Sequence, residues 1–549
     1  MTEFSFLKDE KNRSDVMIKQ LTAKIDGRNM EDDFEIIDAI LEARGIEDVG
    51  AFLRPDESDL IPFEAMHGLH EAYQIIDDAI TMGEKFLVLA DVDADGCSSN
   101  AIITRYLRRC GADVKCIIND GKKHGAEDLN LGLLDGIDVM IIVDSLNNEP
   151  SVYKRILDTG VKLVVFDHHL PEQRLFDANL DFVLVSSANH YPNEYLSGAG
   201  VCLKFVQYCD YQNLTDYSDD LWAYAAIGLI ADMSNMSIPE NRYIAYRGLA
   251  QFKNPMVQKM VGNYTFDSQS VSFSIGPLVN AAMRMHQNEK AMNVFLAEDE
   301  SEIDELVKEL KNCREEQNKV VADLIDGLLK QGESQLDRKC MFFMLKNDTD
   351  AEITGLIGNK LLAIYQRPLF VLNLRDGQYA GSMRSVGMEN FLKIANETSL
   401  CLCQGHPNAA GAFIDIDKFE QFKIVIEEVL KDVEFSVNIE ADIELNPSQI
   451  NENLVKQLNA INRISGEGFA PIKVLLRTND YEVSTFSTKK HLKIIDSETG
   501  VIIVKWNCMD WQTLGNDGEI VAIGVLANPF YGRNKFLQLT IDEYTQQND

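Results

Sequence analysis

No apolar run in this chain exceeds strand length, so nothing in it reads as a membrane span. The start, Met1-Thr2-Glu3-Phe4, lacks the basic-then-apolar pattern of a secretory signal. The ten cysteines are scattered without a paired framework. Cys401 and Cys403, two apart, have the spacing of neither a C-x-x-C redox pair nor a zinc knuckle. These absences point to a reduced, cytoplasmic protein. Basic residues are scarce: 52 Lys and Arg stand against 87 Asp and Glu, a formal net charge of -35. A general nucleic-acid coat would be basic. Either the substrate is not a polyanion, or contact is confined to a local basic groove where bound cations offset the acidic field.

What is present fits a large globular protein. At 549 residues the chain exceeds a single core, and three or four domains are expected. A hydrophobic fraction of 45% and a charged fraction of 25% are ordinary for such a chain. Residues 1 to about 80 read as mostly helical, with Phe34–Arg44 amphipathic and Leu69–Met82 delivering the chain to a first strand.

That strand, Phe86–Ala90, ends in Asp91-Val92-Asp93-Ala94-Asp95-Gly96. Side chains two apart on a strand point the same way. Three carboxylates leaving a strand end together make an oxygen-rich cup for a hard divalent cation. In isolation the same residues also read as an acidic surface turn. An EF-hand loop is excluded, because its twelfth position from Asp91 is Ile102 and not glutamate. A helix follows over Cys97–Arg109, and strand, turn and helix together are where an open α/β sheet places its ligand.

Matching pieces recur downstream. Strands are expected at Val114–Ile118, Val139–Val143, Leu163–Phe166 and Phe182–Val185, with helices between most of them, which implies a mostly parallel sheet. The third of these five strands runs into Asp144-Ser145, and the fourth into Asp167-His168-His169. Adjacent histidines at a strand end cannot both face one point, so one suits a metal and the other a substrate. An apolar helix, Leu221–Ile230, leads to Asp232, readable as a surface helix end or as a further ligand. Ile275 to Arg284 reads as a loop and a short helix, with Arg284 a candidate phosphate clamp. Ile303–Leu329 reads as a charged connecting helix. A second lobe, about 333 to 435, alternates again. It offers Gly381-Ser382-Met383-Arg384-Ser385 and a Gly-rich turn, Gln404-Gly405-His406 to Gly411, of the kind that lets backbone N–H groups approach a phosphate. From Ile472 to Tyr544 short alternating strands suggest a small barrel such as an OB-fold. Lys489, Lys490, Lys493, Tyr531, Arg533, Lys535 and Phe536 are its candidates for holding a single strand.

Together these segments resemble the DHH phosphoesterases, over about residues 35 to 545, and among them the RecJ branch of single-strand-specific 5′→3′ exonucleases. Asp91 to Gly96 is similar to the family's first motif, Asp144 to its second, Asp167-His168-His169 to its third and Asp232 to its fourth. Leu41 to Ile46, Gly276-Pro277 with Asn280 to Ala282 and Arg284, Gly381 to Ser385, Gly405 to Gly411 and His491-Leu492-Lys493 resemble RecJ segments in RecJ order. The resemblance implies an α/β, two-lobed protein: helices and a parallel-sheet DHH domain over 1–285, a connecting helix over 286–332, a smaller α/β DHH-associated domain over 333–440, and a helix with an OB-fold barrel over 441–549.

It also implies two divalent cations, Mn2+ before Mg2+. Asp93, Asp95, Asp144, His168 and Asp232 match the metal ligands, Asp144 as the bridge, and Asp91 is a ligand or lies just behind them. His169 would face the scissile phosphate and Asp167 would orient the histidines. Arg284, Ser382, Arg384 and His406 match residues that hold the strand's 5′-phosphate and backbone. The implied activity is hydrolysis of single-stranded DNA to 5′-mononucleotides in DNA repair and recombination. The implied partners are single-stranded DNA and a single-strand-binding protein or helicase, with no membrane, the chain acting as a monomer. Departures from the family pattern are Gln404 and Met283, where glycines are usual, and Ser145-Leu146, where Cys-Gly is common. Two rival readings are a DHH hydrolase of short oligonucleotides or cyclic dinucleotides, against which the C-terminal strands argue, and a catalytically silent replication scaffold, against which the filled ligand positions argue.

Overall fold

The computed structural model describes residues 17–119, 125–346, 351–375, 377–487, 491–506, 508, 514, 518–531 and 534–547. Its first element corrects the helical reading of the N-terminus: β1 (Met17–Asp26) is a strand that pairs in parallel with β12 (Phe435–Leu445), more than 400 residues away. Leu21, Ala23 and Ile25 alternate with exposed Gln20, Thr22 and Lys24, the period of a half-buried strand.

The first lobe is built on five parallel strands: β2 (Lys85–Ala90), β3 (Asp113–Ile118), β4 (Val139–Val143), β5 (Lys162–Asp167) and β6 (Val183–Ser186), in the order β3-β2-β4-β5-β6. Both faces are covered, which is why these strands read as continuous apolar runs. Phe86, Val88 and Ala90 enter one core, beneath the Ala94–Arg109 and Gly198–Asn213 helices. Leu87 and Leu89 enter another, with Val152, Tyr153 and Ile156 of the Pro150–Leu157 helix. The chain's direction of travel across the sheet reverses between β2 and β4, and ligand sites lie outside the strand ends at such a point.

A helix of 34 residues, Glu300–Glu333, is capped by Asp299 and runs about 50 Å. Ile303, Val307 and Leu310 belong to the first-lobe core, whereas Val321, Ile325 and Leu328 pack with Met341, Phe343 and Leu369 of the second lobe. That lobe's sheet orders β10 (Leu402–His406), β11 (Ala409–Asp415), β9 (Gln378–Arg384), β8 (Leu369–Arg375) and β7 (Met341–Met344). The stretch read as a Gly-rich phosphate loop is therefore a β-hairpin, closed by Pro407-Asn408. Its period is two: Cys403, Ala410 and Ala412 are buried, while Gln404 and His406 are exposed.

The short C-terminal strands are β13 (Val474–Thr478), β14 (Tyr481–Phe486), β15 (His491–Asp496), β16 (Ile502–Lys505), β17 (Glu519–Ala527), the two-residue pair β18 (Phe530–Tyr531) and β19 (Asn534–Lys535), and β20 (Gln538–Gln547). They are consistent with an OB-like domain, extended on one side by β12 and β1 into an eight-stranded mixed sheet. Arg44 pins this sheet to the first lobe: its Nε and Nη2 grip both Asp442 oxygens at 2.8 and 2.7 Å, and its guanidinium lies 4.5 Å from the Phe469 ring centre. Among the described residues no helix is long and apolar enough to cross a membrane.

Candidate functional site

The carboxylates of the first motif do not leave a strand in a row. β2 ends at Ala90, and Asp93 caps the next helix by accepting a hydrogen bond from Gly96 N at 2.9 Å. Asp95 therefore sits in that helix's first turn. The helix starts three residues earlier than its apolar periodicity suggests, because Asp93 is a good N-cap and Ala94 a good helix former. Asp95 is 1% exposed and points at the start of the Gly198–Asn213 helix. It accepts bonds from Ser197 Oγ (3.0 Å), Gly198 N (2.8 Å) and Ala199 N (3.0 Å). Burial lifts its carboxyl to about 6, against the pull of His168.

β4 delivers Asp144, held at φ 55, a left-handed conformation that a non-glycine residue adopts at a cost. The room it needs comes from Gly198: a Cβ there would meet Asp144 Oδ1 at 2.8 Å. Gly228 clears Asp95 in the same way, at 2.2 Å. Burial, then Asp95, Asp93, Asp167 and Asp91, push the Asp144 carboxyl well above the usual range.

β5 delivers Asp167, whose carboxylate organises the histidine pair. Its Oδ1 accepts from the backbone N of His168 (2.7 Å) and of His169 (2.6 Å) and pairs with His169 Nδ1 at 2.7 Å, while Oδ2 accepts from Leu146 N at 2.5 Å. Burial alone would raise Asp167, but the bond and charge of His169 and the charge of His168 hold it below the usual carboxylate value. Burial likewise opposes charge on His169, yet Asp167, Asp232 and Asp91 lift that imidazole to about 9. His168 turns the other way. Its Nε2 lies 3.1 Å from Asp144 Oδ1 and 3.9 Å from Asp95 Oδ2, and its Nδ1 lies 3.6 Å from Asp232 Oδ2. Asp232 caps the Trp222–Ala231 helix and is raised by burial, then by Asp95, to about 6.

Three overlapping groups of donors have ligand atoms within 4.8 Å of one another: Asp144 with His168 and His169, Asp95 with His168 and Asp232, and Asp91 with Asp93 and Asp144. Asp144 Oδ1 is buried without a hydrogen bond and faces His168 Nε2 at 3.1 Å, so a carboxylate oxygen and an imidazole nitrogen converge as donors. Carboxylate oxygens with one imidazole suit a hard or borderline divalent ion, so the residues present fit the group.

The substrate-side candidates gather on the second lobe. In register, Ala409 stands between Arg384 and His406, and Gly411 between Ser382 and Gln404. Arg384 lies over the start of the Thr354–Tyr365 helix, where a Cβ on Gly355 would meet its Nη2 at 2.6 Å. Its Nε donates to Asn359 Oδ1 at 2.7 Å, and Ser382 Oγ lies 2.9 Å from Thr354 Oγ1. Arg284 ends the Gly276–Arg284 helix of the first lobe, near enough to Arg384 that, after burial, its charge lowers the proton affinity of Arg384. Burial likewise lowers that of Arg284, whose Nε is buried without a hydrogen-bond partner. Two arginines brought together at a lobe junction make a site for an anion. The stretch Ile275 to Arg284, read as a loop and a short helix, has no loop: Ile275 ends a π-helical turn, Val271–Ile275, and the helix Gly276–Arg284 follows at once. Ser197, Thr354, Gly355 and Asn359 were not singled out from the sequence. Ser-Gly ahead of small residues is an N-cap signal, and Thr354-Gly355 with Asn359 sits one turn apart on a helix start, which would have marked them.

In the C-terminal sheet, His491 packs with Phe486 (5.0 Å) and Trp506 (4.9 Å), and Trp506 is 45% exposed. Lys493 sits on β15, and Tyr531 and Lys535 on β18 and β19. Phe536 donates its backbone N–H to Pro529 O at 3.2 Å. Lys489, Lys490 and Arg533 lie outside the described residues.

Residues 85–229 match the DHH family, N-terminal domain, and residues 337–432 match the DHHA1 domain. The chain thus carries a DHH domain followed by a DHHA1 domain. In sequence it is similar to RecJ proteins. YorK, from the SPbeta prophage of Bacillus subtilis (strain 168), is 27% identical over 467 residues, which are 78% of this chain and 80% of YorK. The single-stranded-DNA-specific exonuclease RecJ of the same strain is 26% identical over 450 residues, 78% of this chain but 56% of that protein. The fold is that of RecJ from Thermus thermophilus solved in complex with Mn2+, with a TM-score of 0.77 at 22% identity, covering 98% of this chain and 80% of that one. The same protein is also known in complex with Mg2+.

Proposed function

We propose that this chain is a divalent-metal-dependent 5′→3′ exonuclease that hydrolyses single-stranded DNA to 5′-mononucleotides. The observation that carries this reading is the placement of two opposite charges: the carboxylate cluster around Asp144 and His168 at the strand ends, and the Arg284–Arg384 pair at the lobe junction. A terminal phosphate fits the arginines, and a scissile phosphate fits the metal end. The names of the curated relatives support the same reading.

In this proposal Asp93, Asp95, Asp144, His168 and Asp232, with Asp91, would hold two divalent ions, Mn2+ ahead of Mg2+, and Asp144, which belongs to two of the donor groups, would serve both. When bound, the ions supply positive charge to the phosphoryl oxygens and acidify the attacking water. The remaining work belongs to this chain's own side chains. Asp167 pairs with His169 Nδ1 and turns that imidazole outward, so that it meets the scissile phosphate. Asp167 also fixes the backbone of both histidines, which sets the direction of His168. Arg284, Arg384 and Ser382 hold the 5′-phosphate, and His406 the next part of the backbone, so cleavage falls one nucleotide in. Repair or recombination is the setting in which such an activity would serve, with a single-strand-binding protein or helicase supplying the strand.

The test is to incubate the full chain with Mn2+ and long single-stranded DNA labelled at either end, beside a blunt duplex and a dinucleotide. The expected result is early release of the 5′ label as mononucleotide, with the duplex spared. Preference for the dinucleotide over the long strand overturns the reading, and so does absence of cleavage with any divalent ion.

A further inference from the structure

The sheet face that carries Arg384 continues beyond it. Because β9, β11 and β10 are in register, three rows cross this face: Arg384-Ala409-His406, Ser382-Gly411-Gln404 and Ala380-Phe413-Leu402. Successive rows lie about 6.8 Å apart. The intervening residues Met383, Ala410, Ala412 and Cys403 point the other way, into the core. The third row leaves Phe413 40% exposed and Leu402 52% exposed, directly opposite each other. Phe413 does not stand apart from the arginine end. Its ring leans along the strand toward Gly411, where an added Cβ would meet Phe413 Cε2 at 3.9 Å. An aromatic ring, an aliphatic side chain and a bare backbone floor thus form an apolar step next to the Ser382 row, one row from the clamp.

We propose that Phe413 and Leu402 are a stacking platform for the base of the 5′-terminal nucleotide whose phosphate Arg284 and Arg384 hold. The proposal rests on the function proposed above and adds a subsite to it. A base is the occupant that fits. The patch is two side chains wide, far below the area of a stable protein interface. It adjoins the Ser382 row, with the Arg384 row one step beyond, as a base lies beyond the sugar from its 5′-phosphate. Every base has a π-face, so an aromatic platform accepts all four, as an exonuclease without sequence preference requires. Gln404, exposed in the middle row, offers both a donor and an acceptor to a base edge.

The experiment uses 5′-phosphorylated single strands with either a normal or an abasic first nucleotide. Cleavage by the full chain is compared with that by Phe413→Ala and Phe413→Trp, and strand affinity is measured by anisotropy in an Asp144→Ala background. The expected result is that Phe413→Ala raises KM and Kd for the normal strand about tenfold, leaves the abasic strand unchanged, and is rescued by Phe413→Trp. Equal effects on both strands, or none on either, overturn the platform. If the unsubstituted chain cuts neither strand, the exonuclease reading fails, and the Kd comparison still decides the platform.

Discussion

On the first-lobe side of the site, six aspartates and two histidines converge from three strand ends and two helices, and four of the aspartates, Asp91, Asp95, Asp144 and Asp167, are buried. On the second-lobe side, Ser382, Arg384 and His406 stand in rows across one sheet, and Arg384 lies near enough to Arg284 to feel its charge. The first side concentrates negative charge that burial has made costly. Asp144, Asp95 and Asp232 are all raised, and desolvation is the leading cause in each. The second side concentrates positive charge that the neighbouring helix and Asn359 hold in place. The contrast also bears on the acidity of the chain. A net charge of -35 is compatible with a polyanionic substrate if recognition is confined to a few half-buried cations at one junction and the acidic centre is neutralised by ions.

The comparison breaks first at Asp144. Asp144→Ala removes the residue shared by two donor groups, and its expected effect is a loss of at least about 10³ in kcat with the fold intact. Near-normal turnover, measured beside an unchanged circular dichroism spectrum, would show that the first side is not the reacting centre.

A second difference concerns pH. Asp95 and Asp232 rise from an unfolded value of 3.8 to about 6, and burial pushes Asp144 well above its ordinary value. The folded metal-free chain therefore binds more protons than the unfolded one between those values. Stability from these groups is complete below about pH 4 and is lost as pH climbs through 6. His169, raised to about 9, acts in the same direction at higher pH, whereas Asp167, lowered, acts only in acid. Divalent ions held by these carboxylates, as proposed, would replace those protons, so the stabilisation by Mn2+ over EDTA should grow from pH 5 to pH 8, by on the order of 3 kcal/mol. Thermal unfolding at the two pH values reads this, and an equal gap at both would mean that the cluster is not desolvated as drawn.

The second side predicts a smaller effect. Arg384→Ala should remove about 10- to 100-fold of the preference for a 5′-phosphate over a 5′-hydroxyl while leaving kcat within a few-fold. Equal response of both substrates before and after substitution would reject the phosphate clamp.

The two sides also differ in how much of them the sequence discloses. Asp144 and Asp167-His168-His169 each follow a buried strand at once, so a linear reading places them at one sheet edge. The rows of the second lobe are cross-strand neighbours, and no spacing along the chain shows that Arg384, Ala409 and His406 share one line. Two further misses share this cause. The strand β1 has a period-two pattern, but its partner lies at residues 435–445, and helical neighbours drew it into their own class. The hairpin at Gln404–Gly411 has glycines that suggest a loop, while the burial of Cys403, Ala410 and Ala412 makes it a strand pair. Asp95 shows the opposite error: a spacing of two suggested a strand, but the N-cap at Asp93 had already begun a helix.

The smallest expected effect is the one that most sharpens the contrast between the sides. A Cβ on Gly355 would meet Arg384 Nη2 at 2.6 Å and Ser382 Oγ at 3.5 Å. The nearest atom is the far end of a flexible side chain, so Gly355→Ala should move the guanidinium rather than unfold the helix, and alanine favours the helix by up to about 1 kcal/mol. Tm should stay level or rise slightly, while KM for a 5′-phosphorylated strand rises about threefold and kcat holds. If the effect runs through Arg384, it disappears in the Arg384→Ala background, where the added methyl has nothing left to displace. A KM increase that persists in the double variant would assign Gly355 a role of its own at the helix start, and the second side would then hold its phosphate through backbone N–H groups as well as through arginine.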